Sequence, residues 1–286
     1  MPTMSISQLS KLSGVSAGNI RMWEARYRVV EPLRTSHNRR LYSIEQLEHL
    51  SHVALLVKRG FKISKVVGMN QFEMVERLER TNDPETLQEL IVSRLVIQMA
   101  KCDIESIEHT LDDCVLKFGI HITLGSIVLP FIGRTELFSY ASSEADVHFA
   151  VTALRRKLIL GIESVPAPSV NAQSALLFLQ KGEHYDLMLL YTSYRFKQRG
   201  MKTYYLGTNV PAKSLHNAIE QKKPDLICTY LCPGQKISGD YFFLDKSASI
   251  SGDAAIVYGK AESLQTEPVI HVMYYADLLS AKLEWA

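Results

Sequence analysis

A chain of 286 residues, at about 150 residues per domain, has room for roughly two domains and at least one substantial core. Its apolar content of 47% and charged content of 22% are those of an ordinary soluble globular protein. There is no unbroken apolar run of about 18 residues, and the start MPTMSISQLS lacks a basic stretch followed by an apolar one. The expectation is therefore no membrane span, no signal peptide and a cytoplasmic location. Cys102, Cys114, Cys228 and Cys232 form no CxxC pair and no zinc set, which predicts reduced, mostly buried thiols and no bound metal.

The net charge of +2 divides unevenly. Residues 1–75 hold 11 Lys and Arg against 5 Asp and Glu, and the remainder holds 21 against 25. A basic head on a mildly acidic body is a footprint of a nucleic-acid-binding domain joined to something else; a solvated basic face gives the same count. Spacing decides between them. Ser5 precedes Ile6, Leu9 and Leu12 at helical spacing, and Gly14 breaks the pattern. Ser16 then suits the cap of a second helix that buries Ile20, Trp23 and Tyr27 and leaves Ala17, Asn19, Arg21 and Glu24 on other faces. Two short helices across a Ser-Gly-Val turn predict a helix-turn-helix. The second helix of such a unit enters the major groove with its first residues, here Ser16, Ala17, Gly18 and Asn19, nearest the bases. Arg21 is placed for a phosphate, and Trp23 reads as core.

Pro32 to Tyr42 is too polar for core and predicts a β-hairpin wing carrying Arg34, His37, Asn38, Arg39, Arg40 and Tyr42, all able to donate to phosphate or sugar. A third helix, capped at Ser43, runs through Leu47, Leu50 and Leu55 to Lys58-Arg59-Gly60. Helix, turn, helix, wing, helix is a winged helix. Ile6 to Ser16, Ile20-Arg-Met-Trp-Glu24, Pro32-x-Arg34, Arg40-Leu-Tyr42-Ser and Arg59-Gly60-Phe together resemble the DNA-binding domain of the MerR family of transcriptional regulators. The resemblance implies that Arg21, Arg39, Arg40 and Tyr42 clamp the DNA backbone while the start of the second helix reads bases.

Asn82-Asp-Pro84 marks a break. From Glu85 to about Leu160, glycine is scarce and apolar residues recur at helical spacing (Leu87, Leu90, Ile91, Leu95, Met99, then Ile104, Ile107, Leu111, Val115, Leu116), which predicts a helical bundle. Phe118-Gly119 should end one helix and Leu129-Pro130 begin or bend the next. After Val165-Pro-Ala-Pro168 the grammar changes to short apolar runs at Ala175–Leu179, Thr203–Leu206, Leu226–Leu231, Ala254–Val257 and Val269–Val272, with helical stretches between. These predict a doubly wound, Rossmann-like parallel sheet covered on both faces. Its ligands would sit beyond the carboxyl ends of the strands, at Gln180 to Tyr185, Gly207 to Val210, Leu231 to Gly234 and Tyr258 to Lys260. The expected domains are thus a winged helix over 1–75, a bundle over 83–165 and an α/β domain over 169–286.

That domain order, with Tyr205 to Leu215 and Thr229-Tyr-Leu231, is similar to the CarH and LitR type of MerR-family repressor, which senses light through adenosylcobalamin. The resemblance implies a cobalamin module, yet its ligand positions depart from the pattern. Where the family has Glu/Asp-x-His-x-x-Gly, the histidine falls on Tyr185 and the glycine on Met188. A phenol with a pKa near ~10 is a poor partner for cobalt, and a methionine fills space that the nucleotide tail requires. The family's Trp-x9-Glu-His becomes Leu137, Val147 and His148; Thr229 stands in its Ser-x-Leu element, and paired glycines become Tyr258-Gly259. The site therefore reads as degenerate, with no cofactor expected. A one-residue slip to His184 as cobalt ligand, or ferric haem on Tyr185, are the alternatives.

Three functions follow. The first is a DNA-binding regulator, a repressor by resemblance, acting as a homodimer or higher oligomer on an inverted repeat in double-stranded DNA; its C-terminal module senses an unknown small molecule, binds a protein or oligomerises. The second is a corrinoid or haem carrier in which ligand binding is the main activity. The third, an enzyme using Glu183, His184 and Asp186, lacks a catalytic constellation, and the chain is read as non-enzymatic.

Overall fold

The structure, a computed structural model, describes residues 3–35, 38–135, 144–184, 186–231, 241, 255–260 and 270–274. The chain divides into two compact units, Met1–Leu154 and Arg155–Ala286.

The first unit opens with β1 (Thr3–Met4), α1 (Ile6–Ser13), α2 (Ala17–Tyr27), β2 (Leu33–Arg34), β3 (Arg40–Ser43) and α3 (Ile44–Lys58). Side-chain caps set these boundaries. At α1 the Ser5 hydroxyl accepts from the Gln8 amide while the Gln8 side chain accepts from Ser5 N–H, and Gly14 at φ +71 ends the helix. Ser16 caps α2, and a second reciprocal pair, Ser43 with Gln46, starts α3. Leu9, Leu12, Ile20, Trp23, Leu47 and Leu50 point inward, with Trp23 at 8% exposure, so the indole is core as its spacing predicts. The three strands form one antiparallel sheet in the order β1-β3-β2, with Met4 opposite Tyr42 and Arg34 opposite Arg40.

Two short helices, α4 (Ile63–Val66) and α5 (Gln71–Glu79), lead to α6 (Pro84–Ala100) and α7 (Ile104–Ile122), a π-helical turn (Thr123–Val128), α8 (Leu129–Thr135) and α9 (Glu144–Ser164). Asp83 caps α6 with Pro84 in its first turn. Gly119, at φ +77 and ψ 161, interrupts α7 where Phe118-Gly119 predicts a stop. Among the described residues, Ile104–Arg134 is long and apolar enough to cross a membrane by length and composition. In the fold it is broken at Gly119, and α6 packs against α7, the π turn and α8.

The second unit holds β4 (Ser174–Gln180), α10 (Leu187–Gln198), β5 (Lys202–Val210), α11 (Ala212–Lys222), β6 (Leu226–Leu231), β7 (Ala255–Lys260) and β8 (Ile270–Tyr274), in the sheet order β5-β4-β6-β7-β8. β5 and β6 flank β4 and both run parallel to it. The chain thus turns one way through α10 and the other way through α11, which with right-handed crossovers puts these helices on opposite faces. Leu176, Phe178, Val210, Leu215 and Ile227 form a buried cluster on the α11 side. The two connections diverge between β4 and β6, the position at which open α/β sheets in general hold ligands.

Two expectations are corrected. The sheet is not parallel throughout: β6–β7 and β7–β8 are antiparallel. Residues 261–269 join β7 to β8, fewer than the dozen or so that a parallel crossover takes. Reversal of β7 sets Gly259 opposite Ile227, in the amino-terminal half of β6, so 258–260 is not at the ligand edge. The second correction is that β5 does not stop at Gly207. A bulge skips Leu206, pairing Leu177 with Tyr205 and Phe178 with Gly207, and the strand continues to Val210. Gly207, which follows the skipped residue, sits at φ +87, a left-handed conformation that glycine adopts most easily.

Candidate functional site

At the start of α2, Ser16 spends its hydroxyl on the Asn19 amide at 3.1 Å, which fixes the helix origin. Ser16, Gly18, Asn19 and Arg21 are exposed and Ala17 is half-buried, while Ile20 and Trp23 anchor the opposite face. A row of small and polar groups is therefore presented from Ser16 to Asn19, with Arg21 and the exposed Met22 following it.

The β2–β3 hairpin closes on itself. Thr35 N–H donates to the Arg39 carbonyl at 3.0 Å, the Thr35 hydroxyl accepts from Arg39 N–H at 3.1 Å, and Asn38 N–H donates to the Thr35 carbonyl at 2.9 Å. Asn38 takes φ +58, a left-handed turn that asparagine tolerates, and its side-chain oxygen accepts from Arg34 Nη1 at 2.6 Å. Asn38 thus holds Arg34, and both are exposed together with Arg39. His37 lies outside the described residues.

Arg40 and Tyr42 behave differently from Arg34, Asn38 and Arg39. Arg40 Nε donates to both oxygens of Glu24 at 3.2 Å, and the Tyr42 hydroxyl donates to Glu24 Oε2 at 3.3 Å. Tyr42 is fully buried. Burial first and the Glu24 carboxylate second push its phenol up to about 12, so it stays a neutral donor. Glu24 and Thr35 are the working residues that sequence reasoning missed. Two donors two positions apart on a strand, Arg40 and Tyr42, and an acidic residue on the preceding helix were the available signal.

The expected ligand residues of the α/β module are only partly visible. Tyr185 and Leu137 lie outside the described residues, and Val147 is described only as backbone of α9. His148 is exposed on α9 in the first unit, whereas Met188, Thr229 and Gly259 belong to the second. Met188, in the first turn of α10, has 0% exposure, so no open space borders it where the resemblance implies glycine. Thr229 pairs in register with Phe178, and its buried hydroxyl has no hydrogen-bond partner among the described residues.

The loop after β4 is tied down by a set of hydrogen bonds, in which Arg155 and Tyr241 are the members that the sequence did not single out. Gly182 N–H donates to Asn209 Oδ1 at 2.9 Å, Asn209 N–H returns a bond to the Glu183 carbonyl, and Lys181 N–H donates to the Tyr241 hydroxyl at 2.7 Å. Arg155 donates through Nε and Nη2 to Asp186 Oδ1 at 3.0 and 2.7 Å, and the Tyr205 hydroxyl donates to the other oxygen at 3.3 Å. Burial and then the Asp186 charge push the Tyr205 phenol upward. His184 is exposed. Among the described residues no three His, Cys, Asp or Glu side chains gather as a metal site.

Residues 4–72 match the family described as MerR HTH family regulatory protein. The chain is 25% identical over 228 residues to the HTH-type transcriptional repressor CarA of Myxococcus xanthus, covering 79% of this chain and 75% of the relative. It is 23% identical over 236 residues to the HTH-type transcriptional repressor CarH of the same organism, covering 79% and 77%. A solved structure, the methanol:cobalamin methyltransferase complex MtaBC of Methanosarcina barkeri, aligns with a TM-score of 0.29 at 13% identity over 58% of this chain and 67% of that one. That last likeness is too distant to bear on fold or ligand. The capped helix pair and its hairpin, with the family match over the same residues, identify residues 4–72 as a helix-turn-helix domain of the MerR family.

Proposed function

We propose that the chain is a sequence-specific DNA-binding transcriptional regulator and that it works as a repressor from the cytoplasm. The observation that carries this reading is the pairing of a small, polar α2 start with a hairpin presenting Arg34 and Arg39, all on one rigid, capped frame. In this reading the hairpin is the wing. Ser16, Ala17 and Asn19 approach base edges, Arg21, Arg34, Arg39 and Arg40 neutralise phosphates, His37 donates to phosphate or sugar, Asn38 shapes the hairpin turn, and buried Tyr42 supports from beneath. One such domain reads one half-site, so the working unit is a homodimer or higher oligomer on an inverted repeat. The repressor names of CarA and CarH favour repression over activation.

The C-terminal Rossmann-like module is read as a sensor, partner-binding or oligomerisation domain that has lost cobalamin. A Met188 side chain with no exposed surface does not fit a nucleotide tail, and exposed His184 is not held toward the sheet by any bond among the described residues. Thr229 alone would suit a ligand that accepts or donates a hydrogen bond.

The test is selection of sites by the full chain from a library of random duplexes. Enrichment of an inverted repeat is expected, with Arg39→Ala plus Arg40→Ala weakening the selected site at least tenfold, roughly, at physiological salt. No enriched sequence, or a double variant that binds as the parent does, overturns the reading.

A further inference from the structure

Resting on the DNA-binding reading above, we propose that Glu24 is a positioning residue for DNA contact: its carboxylate holds Arg40 by the Nε edge and leaves the outer guanidinium nitrogens for a phosphate. An arginine has five N–H donors, and here both Glu24 oxygens lie at 3.2 Å from Nε alone. The Nη1 and Nη2 donors are uncommitted among the described residues, and the side chain keeps 34% exposure against 17% for Glu24. Glu24 cannot swing away with Arg40, because the Tyr42 hydroxyl, anchored on a fully buried ring, donates to the same carboxylate. Glu24 belongs to α2, and Arg40 and Tyr42 belong to β3, so the three bonds also lock the recognition helix to the hairpin. An arginine held this way loses little side-chain freedom when it meets a phosphate.

An acidic residue beside a polyanion ordinarily weakens binding, so its removal ordinarily tightens it. Positioning predicts the reverse sign. The experiment measures fluorescence anisotropy of the full chain with one labelled duplex of arbitrary sequence, about 30 base pairs long, because phosphate contacts carry no sequence information. Glu24→Gln, which keeps size and removes charge, should weaken binding about fivefold, and Arg40→Ala about tenfold with the salt slope falling by about one per protomer. Adding Glu24→Gln to Arg40→Ala should cost nothing more, since there is then nothing to aim. Tyr42→Phe, which frees Glu24 without opening the core, should weaken binding about twofold, and it carries the test if Glu24→Gln melts early.

Tighter or unchanged binding by Glu24→Gln overturns the inference, as does an equal loss in the Arg40→Ala background, which would mark a packing effect. Unchanged binding by Arg40→Ala, with Arg39→Ala weakened, overturns it too and leaves the DNA-binding reading standing. A parent chain that binds no duplex removes that reading itself.

Discussion

The Thr229 hydroxyl is buried in β6 with no hydrogen-bond partner among the described residues. A hydroxyl taken out of water without a hydrogen bond costs about 1–3 kcal/mol. Valine has nearly the same shape and no such group, so Thr229→Val should leave the thermal midpoint unchanged or raise it. A fall in stability of more than about 1 kcal/mol would mean that the hydroxyl has a partner in solution. Such a group is unexpected in a core kept only for packing. It is expected where a protein once met a hydrogen-bonding ligand, and Thr229 stands in the Thr-Tyr-Leu segment that resembles the family's ligand element. By contrast, the Ser174 hydroxyl and amide both donate to Asp225, which holds that carboxyl below its usual range.

At the scale of elements, the bulge in β5 shows how backbone conformation sets the ligand edge. With Gly207 at φ +87, the strand gains a residue and delivers Asn209 to the loop after β4. A Cβ at position 207 would meet only Tyr205 at 3.7 Å, so the cost of Gly207→Ala is backbone strain, about 1–2 kcal/mol. Chemical denaturation should report that loss; a neutral variant would mean that the bulge rearranges. The same residue marks where sequence reading stops. Ser5, Ser16 and Ser43 were legible as helix starts because a cap is a local event, read from neighbours three residues apart, whereas Asn82-Asp-Pro84 read only as a break and Asp83 caps α6. Gly207 read as a strand end because a glycine that breaks a strand and one that bulges it have the same neighbours. Strand direction was illegible for a related reason: a short apolar run packs equally well either way, and only the connection after β7 excludes a crossover. Glu24 was seen on α2 but not joined to Arg40 and Tyr42, which follow it by 16 and 18 residues.

For the whole molecule, the two units differ in how firmly sequence and structure agree. Over residues 4–72 the caps, the apolar spacing, the exposed cations and the family match all support one reading. In the second unit β4 is flanked by β5 and β6, both parallel to it, while Tyr185 and Met188 stand where the resemblance implies histidine and glycine. Its loop after β4 is closed by protein groups, with Asn209 and Tyr241 taking the Gly182 and Lys181 amides and Arg155 with Tyr205 taking Asp186. Opening that loop for a large cofactor would break several hydrogen bonds, each of about 0.5–1.5 kcal/mol, and would displace a Met188 side chain with no exposed surface. Neither exposed His184 nor a phenol at Tyr185 offers cobalt binding of comparable strength. The full chain incubated with adenosylcobalamin in the dark, then desalted, should therefore show only protein absorbance, and so should a parallel sample with haem. A stoichiometric corrinoid spectrum would mean that the loop opens and that Met188 moves, and it would return light sensing through cobalamin as the leading mechanism. A haem spectrum would instead favour tyrosinate ligation at Tyr185.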